Sequence, residues 1–325
     1  MTMLNVADVP LESEHPAQRL RRIAAAVRVR LRWWGVHRAL TAQQKEEMGA
    51  VASADARLLT AGKKLIDSRH EPVRRLASVR TRLGNYWRGL TLPYTEPGLR
   101  LIRQADVESF VHAMEGFRDE LAEAENGLDA AYDDIKDDAR RRLGRLYDPG
   151  DYPLEVRGLF GVEWDFPSVE PPSYLMRIAP EVYEQERQRV AARFDEAVRL
   201  AEQAFAVEFT RLSAHLTERL SDAEGGQRKV FRDSAVANLS EFFEKFRRLN
   251  VRSNPELDAL VEQAQQMVRG VEAQDLRCDE GLRRRIATEM SRVQVLTEAL
   301  VVDAPRRRIV RPQPGNNGGN HATAG

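Results

Sequence analysis

The sequence predicts a mainly α protein: an elongated helical bundle built on a long antiparallel, coiled-coil-like helical hairpin, with a minor short β element near the termini. Three observations carry this. Residues 190–220 repeat every eleven: Val190, Ala201 and Leu212 form one row, Phe194, Phe205 and Leu216 a second, Val198, Phe209 and Leu220 a third. A hendecad keeps its apolar stripe nearly straight along a helix. Phe110, Met114, Phe117, Leu121, Ala124, Leu128, Ala131 and Ile135 step alternately by four and three, which is a heptad stripe. Finally, charged residues make up 31% of the 325 and aromatics 7%, a mix that suits solvated helices more than a sheet-rich enzyme.

Taken in order, residues 1–16 read as a loose leader. Leu20, Ile23, Ala24 and Val27 have helical spacing, whereas Val27, Val29, Leu31 and Trp33 alternate with Arg28, Arg30, Arg32 and Trp34. That reads as a helix turning into a short strand with one basic face. Thr41 suits an N-cap, and a helix is expected from it to about residue 66. His70, Glu71 and Pro72 break the pattern, and a second helix follows over 73–88. Residues 89–98, with Pro93 and Pro97, form a turn-rich connection.

Residues 99–146 read as one helix of roughly 70 Å, with local unwinding after Ile135. Residues 147–172 carry five prolines and the aromatics Tyr147, Tyr152, Phe160, Trp164 and Phe166. A connection of this length is functional or locally folded. It is expected to form the tip of the hairpin over 147–177, with a short extended piece at Val162–Phe166. The return helix spans 178–221. C-terminal helices follow over 225–304. Residues 306–311 form a candidate strand, able to pair near Val29, and a Gly- and Asn-rich disordered tail ends at 325. The expected divisions are therefore 1–16, 17–98, 99–224, 225–304 and 305–325.

Charge narrows the function. The 50 basic and 50 acidic residues cancel, so no net field draws the chain to nucleic acid or membrane. The single cysteine, Cys278, excludes an intramolecular disulfide and fits a reducing, cytoplasmic location. Neither a spanning apolar run nor a signal-peptide core is present. Phosphate-loop, dinucleotide and nucleophile-elbow motifs are absent. Asp129, Asp133 and Asp137 share a helix face, but without Glu-x-x-His pairs they read as a solvated stripe. No catalytic residue, cofactor or metal is expected.

Charge is nevertheless uneven. Residues 16–40 hold seven arginines and no acid, while 104–138 hold twelve acids and two basic residues. Arg28, Arg30, Arg32, Arg80, Arg82 and Arg88, beside Trp33, Trp34, Tyr86 and Trp87, are candidate nucleic-acid contacts. The alternative is internal, the basic layer packing on the acidic helix, and the near-neutralisation of the two blocks favours it. At the tip, Tyr152, Phe160, Trp164 and Phe166 are candidate protein anchors, since such residues dominate hot spots. The other reading is that they cap the hairpin.

Leu65-Ile66-Asp67, the Arg-rich helix through Arg80 and Arg82, and Gly89-Leu-Thr-Leu-Pro93 before a long acidic helix resemble a helical family, a domain of unknown function of phages and bacteria. Tyr132, residues 147–172 and Tyr174 sit where that family passes to an aromatic segment. The likeness covers roughly residues 25–300 and rests on layout. Members are often linked with MoxR-type AAA+ ATPases and von Willebrand A proteins, which implies an accessory role and carries over no catalytic residue. The expectation is thus a non-catalytic scaffold or adaptor with protein partners, such as an AAA+ ATPase or von Willebrand A protein, or with copies of itself. The alternative is a nucleic-acid-binding accessory protein using the Arg-rich layer.

Overall fold

The computed structural model describes residues 14–220 and 234–302. Among them the order is α1 (Pro16–Ile23), β1 (Ala24–Arg32), β2 (His37–Ala39), α2 (Ala42–Ala52), β3 (Gly62–Lys64), α3 (Glu71–Leu90), β4 (Thr91–Pro93), β5 (Leu99–Arg103), α4 (Val107–Ala130), α5 (Tyr132–Leu143), β6 (Gly161–Asp165), α6 (Leu175–Ile178), α7 (Pro180–Leu220), α8 (Ser234–Leu249), α9 (Pro255–Val268), α10 (Ala273–Cys278) and α11 (Glu280–Val302). The protein is mainly helical, with a four-stranded antiparallel sheet, β4-β5-β1-β6, and a two-stranded one, β2-β3. No described helix is long and apolar enough to cross a membrane.

Two compact units divide the chain: Met1–Ala204 with Ser240–Pro255, and Phe205–Leu239 with Glu256–Gly325. In the first unit the sheet is covered on both faces. Val27, Val29 and Leu31 of β1 point to one face, opposite Trp164 and Val162 of β6, and join a core with Phe110, Met114 and Leu121 of α4 and Leu76, Val79 and Leu83 of α3. Ala26, Leu101 and Leu92 are aligned on the other face. Tyr94, just after β4, meets Phe194 of α7 with ring centroids 5.7 Å apart. The second unit is helical, and its described core includes Phe209, Leu216, Leu257, Val261, Ile286 and Met290.

Both long periodicities are burial patterns. All nine hendecad positions of α7 are buried, and the heptad residues of α4 and α5 lie in or against the first unit's core. Thr41 caps α2 as expected, its hydroxyl accepting from the Gln44 amide at 3.2 Å while the Thr41 amide donates to the Gln44 side-chain oxygen at 3.1 Å.

Several expectations change. The helix expected over 41–66 ends at Ala52, where Ser53 turns left-handed at φ 53°, and the chain continues into β3. The expected 99–146 helix opens instead as β5, because Leu99, Leu101 and Ile102 bury on a strand pairing rather than on a helical stripe. Its break falls at Ala131, before Ile135. The long partner face of α4 is α3. Residues 147–172 do not form a free tip. They return to the first unit, where β6 takes the edge beside β1 and Val156 is fully buried. The candidate strand at 306–311 lies outside the described residues, and both edges of β1 are already taken, by β5 and β6.

Candidate functional site

A cavity of about 610 Å³ lies alongside α3 in the first unit, within the usual size of ligand sites. Helical periodicity makes it. Leu76, Val79 and Leu83 turn to the core, and the adjacent face, Val73, Ala77, Arg80, Gly84 and Trp87 with Thr81 and Arg88, lines the cavity. Across from it the chain leaving β1 supplies Leu31, Trp33, Trp34 and Val36. Phe160 and Leu128 add apolar surface, and His37, Lys64, Ile66 and Ser68 complete the wall.

Three of the protein's four tryptophans are therefore on one cavity, and its charged lining is wholly basic: Arg80, Arg88, Lys64 and, when protonated, His37. The Arg80 guanidinium lies 4.7 Å from the centre of the Trp33 ring, and Trp33 meets Phe160 edge-on at 4.9 Å. Trp34 is buried against Tyr132 at 6.4 Å. The indole N–H of Trp87 is buried and makes no hydrogen bond among the described residues. Arg100 lies 6.0 Å from the Trp87 ring centre and is fixed by hydrogen bonds to the Thr91 hydroxyl, 2.6 Å, and carbonyl, 2.8 Å. Burial, then repulsion from Arg88, lowers the pKa of Arg100 to about 10, so it remains a cation at neutral pH.

Among the described residues no ion pair reaches Arg80, Arg88, Arg100 or Lys64: Arg88 donates to the Asn85 side chain at 3.1 Å, and Lys64 to the Ser68 hydroxyl at 2.9 Å. Elsewhere arginines of the same layer are paired. On α3, Arg75 reaches Glu123 at 2.9 Å and Arg82 reaches Glu120, both on α4. That is the internal neutralisation the charge blocks suggested, but it uses only one face of α3.

The cavity wall is braced from below. Lys63, almost fully buried, pairs with Asp151 at 2.6 Å and donates to the Leu146 carbonyl at 2.7 Å. Tyr152 donates to the Leu65 carbonyl and Tyr132 to the Pro153 carbonyl, each at 2.9 Å. Burial pushes both phenols up to about 12. The Lys63 and Tyr152 bonds tie residues 146–152 to the β2-β3 ladder, in which His37 and Lys64 stand directly opposite each other, and to the residue after it, while the Tyr132 bond ties Pro153 to α5.

The candidate residues thus separate. Arg80 and Arg88 come together with Trp33, Trp34 and Trp87. Arg28, Arg30 and Arg32 lie on the opposite face of β1 from Leu31, with Arg28 3.6 Å from Glu96 and Arg30 3.2 Å from Asp165. Arg82 is in the α3–α4 contact. Of the four aromatic candidates, Tyr152 and Phe160 are core residues, Trp164 packs on β1 with Arg118 5.6 Å from its ring centre, and Phe166 meets Phe110 edge-on at 6.2 Å. Asp129 pairs with Arg157 and Asp133 with Lys136. Among the described residues no three His, Cys, Asp or Glu side chains are grouped to hold a metal ion. Sequence reasoning missed Gly84, Lys64, His37, Ser68 and Thr81. The Lys63-Lys64 doublet was the available signal.

No protein-family model, curated protein or solved structure matches this chain.

Proposed function

We propose that the first unit is a non-catalytic binding module that captures an anionic, ring-bearing ligand in the α3 cavity. The supporting observation is the lining itself: three tryptophans and four basic or titratable-basic side chains, with no acid, in a chain whose charges otherwise cancel. Guanidinium and ammonium groups that no described carboxylate pairs, exposed beside aromatic surface, leave a positive field for an anion to answer, and aromatic planes give a ring a sequence-tolerant seat. The test is tryptophan quenching by adenosine monophosphate, with adenosine and inorganic phosphate as partial probes. The monophosphate should outbind both. Arg80→Glu with Arg88→Glu should abolish the response, and Arg28→Glu, on the opposite sheet face, should spare it. Equal response in the double variant would refute the assignment.

The adaptor reading, with a protein partner such as an AAA+ ATPase or von Willebrand A protein, draws support from another place. Tyr174, Met176, Ile178 and Val182 are exposed within the short stretch where α6 gives way to α7. Ile178→Asp should release a partner that survives high salt. Unchanged capture would remove this stretch from the reading.

A further inference from the structure

We infer that the ligand of the α3 cavity is single-stranded nucleic acid, one base seated against Trp33 and Trp87 and the backbone phosphates held on both sides of it. This rests on the cavity reading and adds the ligand's identity.

The first argument is the distribution of charge. Arg80, Gly84 and Arg88 lie at i, i+4 and i+8 on one face of α3, so the two arginines are separated by about 12 Å of helix rise. Lys64 and His37 stand on the β2-β3 ladder. A mononucleotide carries its charge at one end and meets one of these groups. A strand carries phosphates both before and after the seated base. At about 3.4 Å of rise per nucleotide in a stacked strand, 12 Å spans roughly three to four nucleotides.

The second argument is the kind of surface. The Trp33 ring and the Arg80 guanidinium form a layered pair, and Trp87 offers another ring. Such planes take any base by its face. The lining has no carboxylate to accept from a base amino group and few neutral hydroxyls, Ser68 and Thr81. That predicts little sequence preference. The rings that remain open, Trp33 and Trp87, are half-buried in the wall, while Trp34 belongs to the core. A base must leave a duplex stack to reach such rings, so unpaired strands are selected.

The experiment titrates the full chain with thymidylate oligomers of one, two, four, eight and twenty residues, the uridylate octamer and a twenty-base-pair duplex. Tryptophan quenching and anisotropy of end-labelled probes are read at 50 and 200 mM salt. Affinity should rise at least 10-fold from the monomer to the tetramer and level off by the octamer. With two to four phosphate contacts, it should fall roughly 7- to 50-fold over that salt interval. Trp87→Leu should weaken the octamer on the order of 10-fold, and Arg80→Glu with Arg88→Glu at least as much. Circular dichroism melts identify variants that have lost the fold; for these, Arg88→Gln, at an exposed position, replaces the charge reversal. The thymidylate and uridylate octamers distinguish DNA from RNA as the source of the same chemistry, and binding of either supports the inference. A monomer that binds as tightly as the octamer overturns it while leaving the cavity reading intact. A duplex that binds as tightly as the strand without quenching also overturns it. No quenching by any probe, adenosine monophosphate included, overturns both.

Discussion

Gly84 is the sharpest test of the cavity, because stability and binding should respond to it in opposite directions. The residue is buried within α3, in ordinary helical conformation, and lines the cavity between Arg80 and Arg88. A Cβ built there would stand 3.2 and 3.5 Å from the terminal nitrogens of Arg88, whose guanidinium supplies its three nearest atoms. The obstacle is the far end of a flexible side chain, which yields. Gly84→Ala therefore removes the glycine penalty of a helix interior, about 1 kcal/mol. Against that stands a strained or lost Arg88–Asn85 hydrogen bond, worth about 0.5 kcal/mol at an exposed site. The net is a gain of roughly 0.5–1 kcal/mol. All four tryptophans, Trp33, Trp34, Trp87 and Trp164, belong to the first unit, so their fluorescence follows that unit alone in urea. With a slope of about 1–3 kcal/mol per molar urea, the midpoint should rise by roughly 0.2–1 M. Ligand affinity should fall, because the methyl group displaces Arg88 and narrows the cavity at its middle. A lowered midpoint would refute the packing argument. A raised midpoint with unchanged affinity would refute the role of this helix face in binding.

Two other perturbations examine the support of the site. Lys63→Met leaves the Leu146 carbonyl without its donor and Asp151 with only Arg38, 3.9 Å away; for a nearly buried pair whose acid keeps that second cation and some solvent, the cost should be about 1–3 kcal/mol, and an unchanged urea midpoint would show that the pair braces nothing. Asp67 accepts from the Arg69 side chain and amide and from Arg142, which hold its carboxyl well below the ordinary range. A depressed folded pKa adds stability above the unfolded value, near 4, and that stability is lost as pH falls through the folded value. Asp67→Asn should therefore flatten the acid limb of a melting-temperature profile below pH 4 and lower the plateau above it; parallel profiles for the two proteins would contradict the linkage.

The helices were legible because their periods are long and repeated. Nine hendecad positions and a heptad stripe each bury a face, and no local accident of sequence alters so many residues at once. β1 was legible for the same reason on a shorter scale, since Val27, Val29 and Leu31 alternate with Arg28, Arg30 and Arg32. β4 and β5 were not. Three and five residues are too few to establish a period, and Leu99-Arg-Leu-Ile-Arg103 becomes a strand because Ala24–Arg28 of β1 pairs with it on one side and β4 on the other. The site was half visible. Its arginines and tryptophans stood out as a composition, but composition does not assign faces. The strand ends at Arg32, so Trp34 leaves the alternation that would have set it beside the arginines and enters the core. Phe160 stood among the candidate protein anchors and is a core residue, buried against Trp33.

The division of labour on α3 explains how a chain of zero net charge keeps uncompensated arginines. Arg75 and Arg82, seven apart, face the acids of α4; Arg80 and Arg88, eight apart, face the cavity. The acidic excess over 104–138 does not reach both faces: Glu120 and Glu123 answer α3, Asp129 answers Arg157, and Asp138 answers His70, Arg141 and Arg142. Neutrality over the whole chain is thus compatible with a strongly basic cavity. A charge swap separates the two faces. Arg82→Glu combined with Glu120→Arg keeps the α3–α4 pair in reversed order, and because both groups are largely solvated it should change stability by less than about 1 kcal/mol. It also leaves the cavity lining untouched, so binding should persist, whereas Arg80→Glu alone should weaken it at least several-fold. If the swap weakened binding as much as Arg80→Glu does, the ligand would be answering the summed charge of the layer rather than one built face, and the assignment of the cavity would fail.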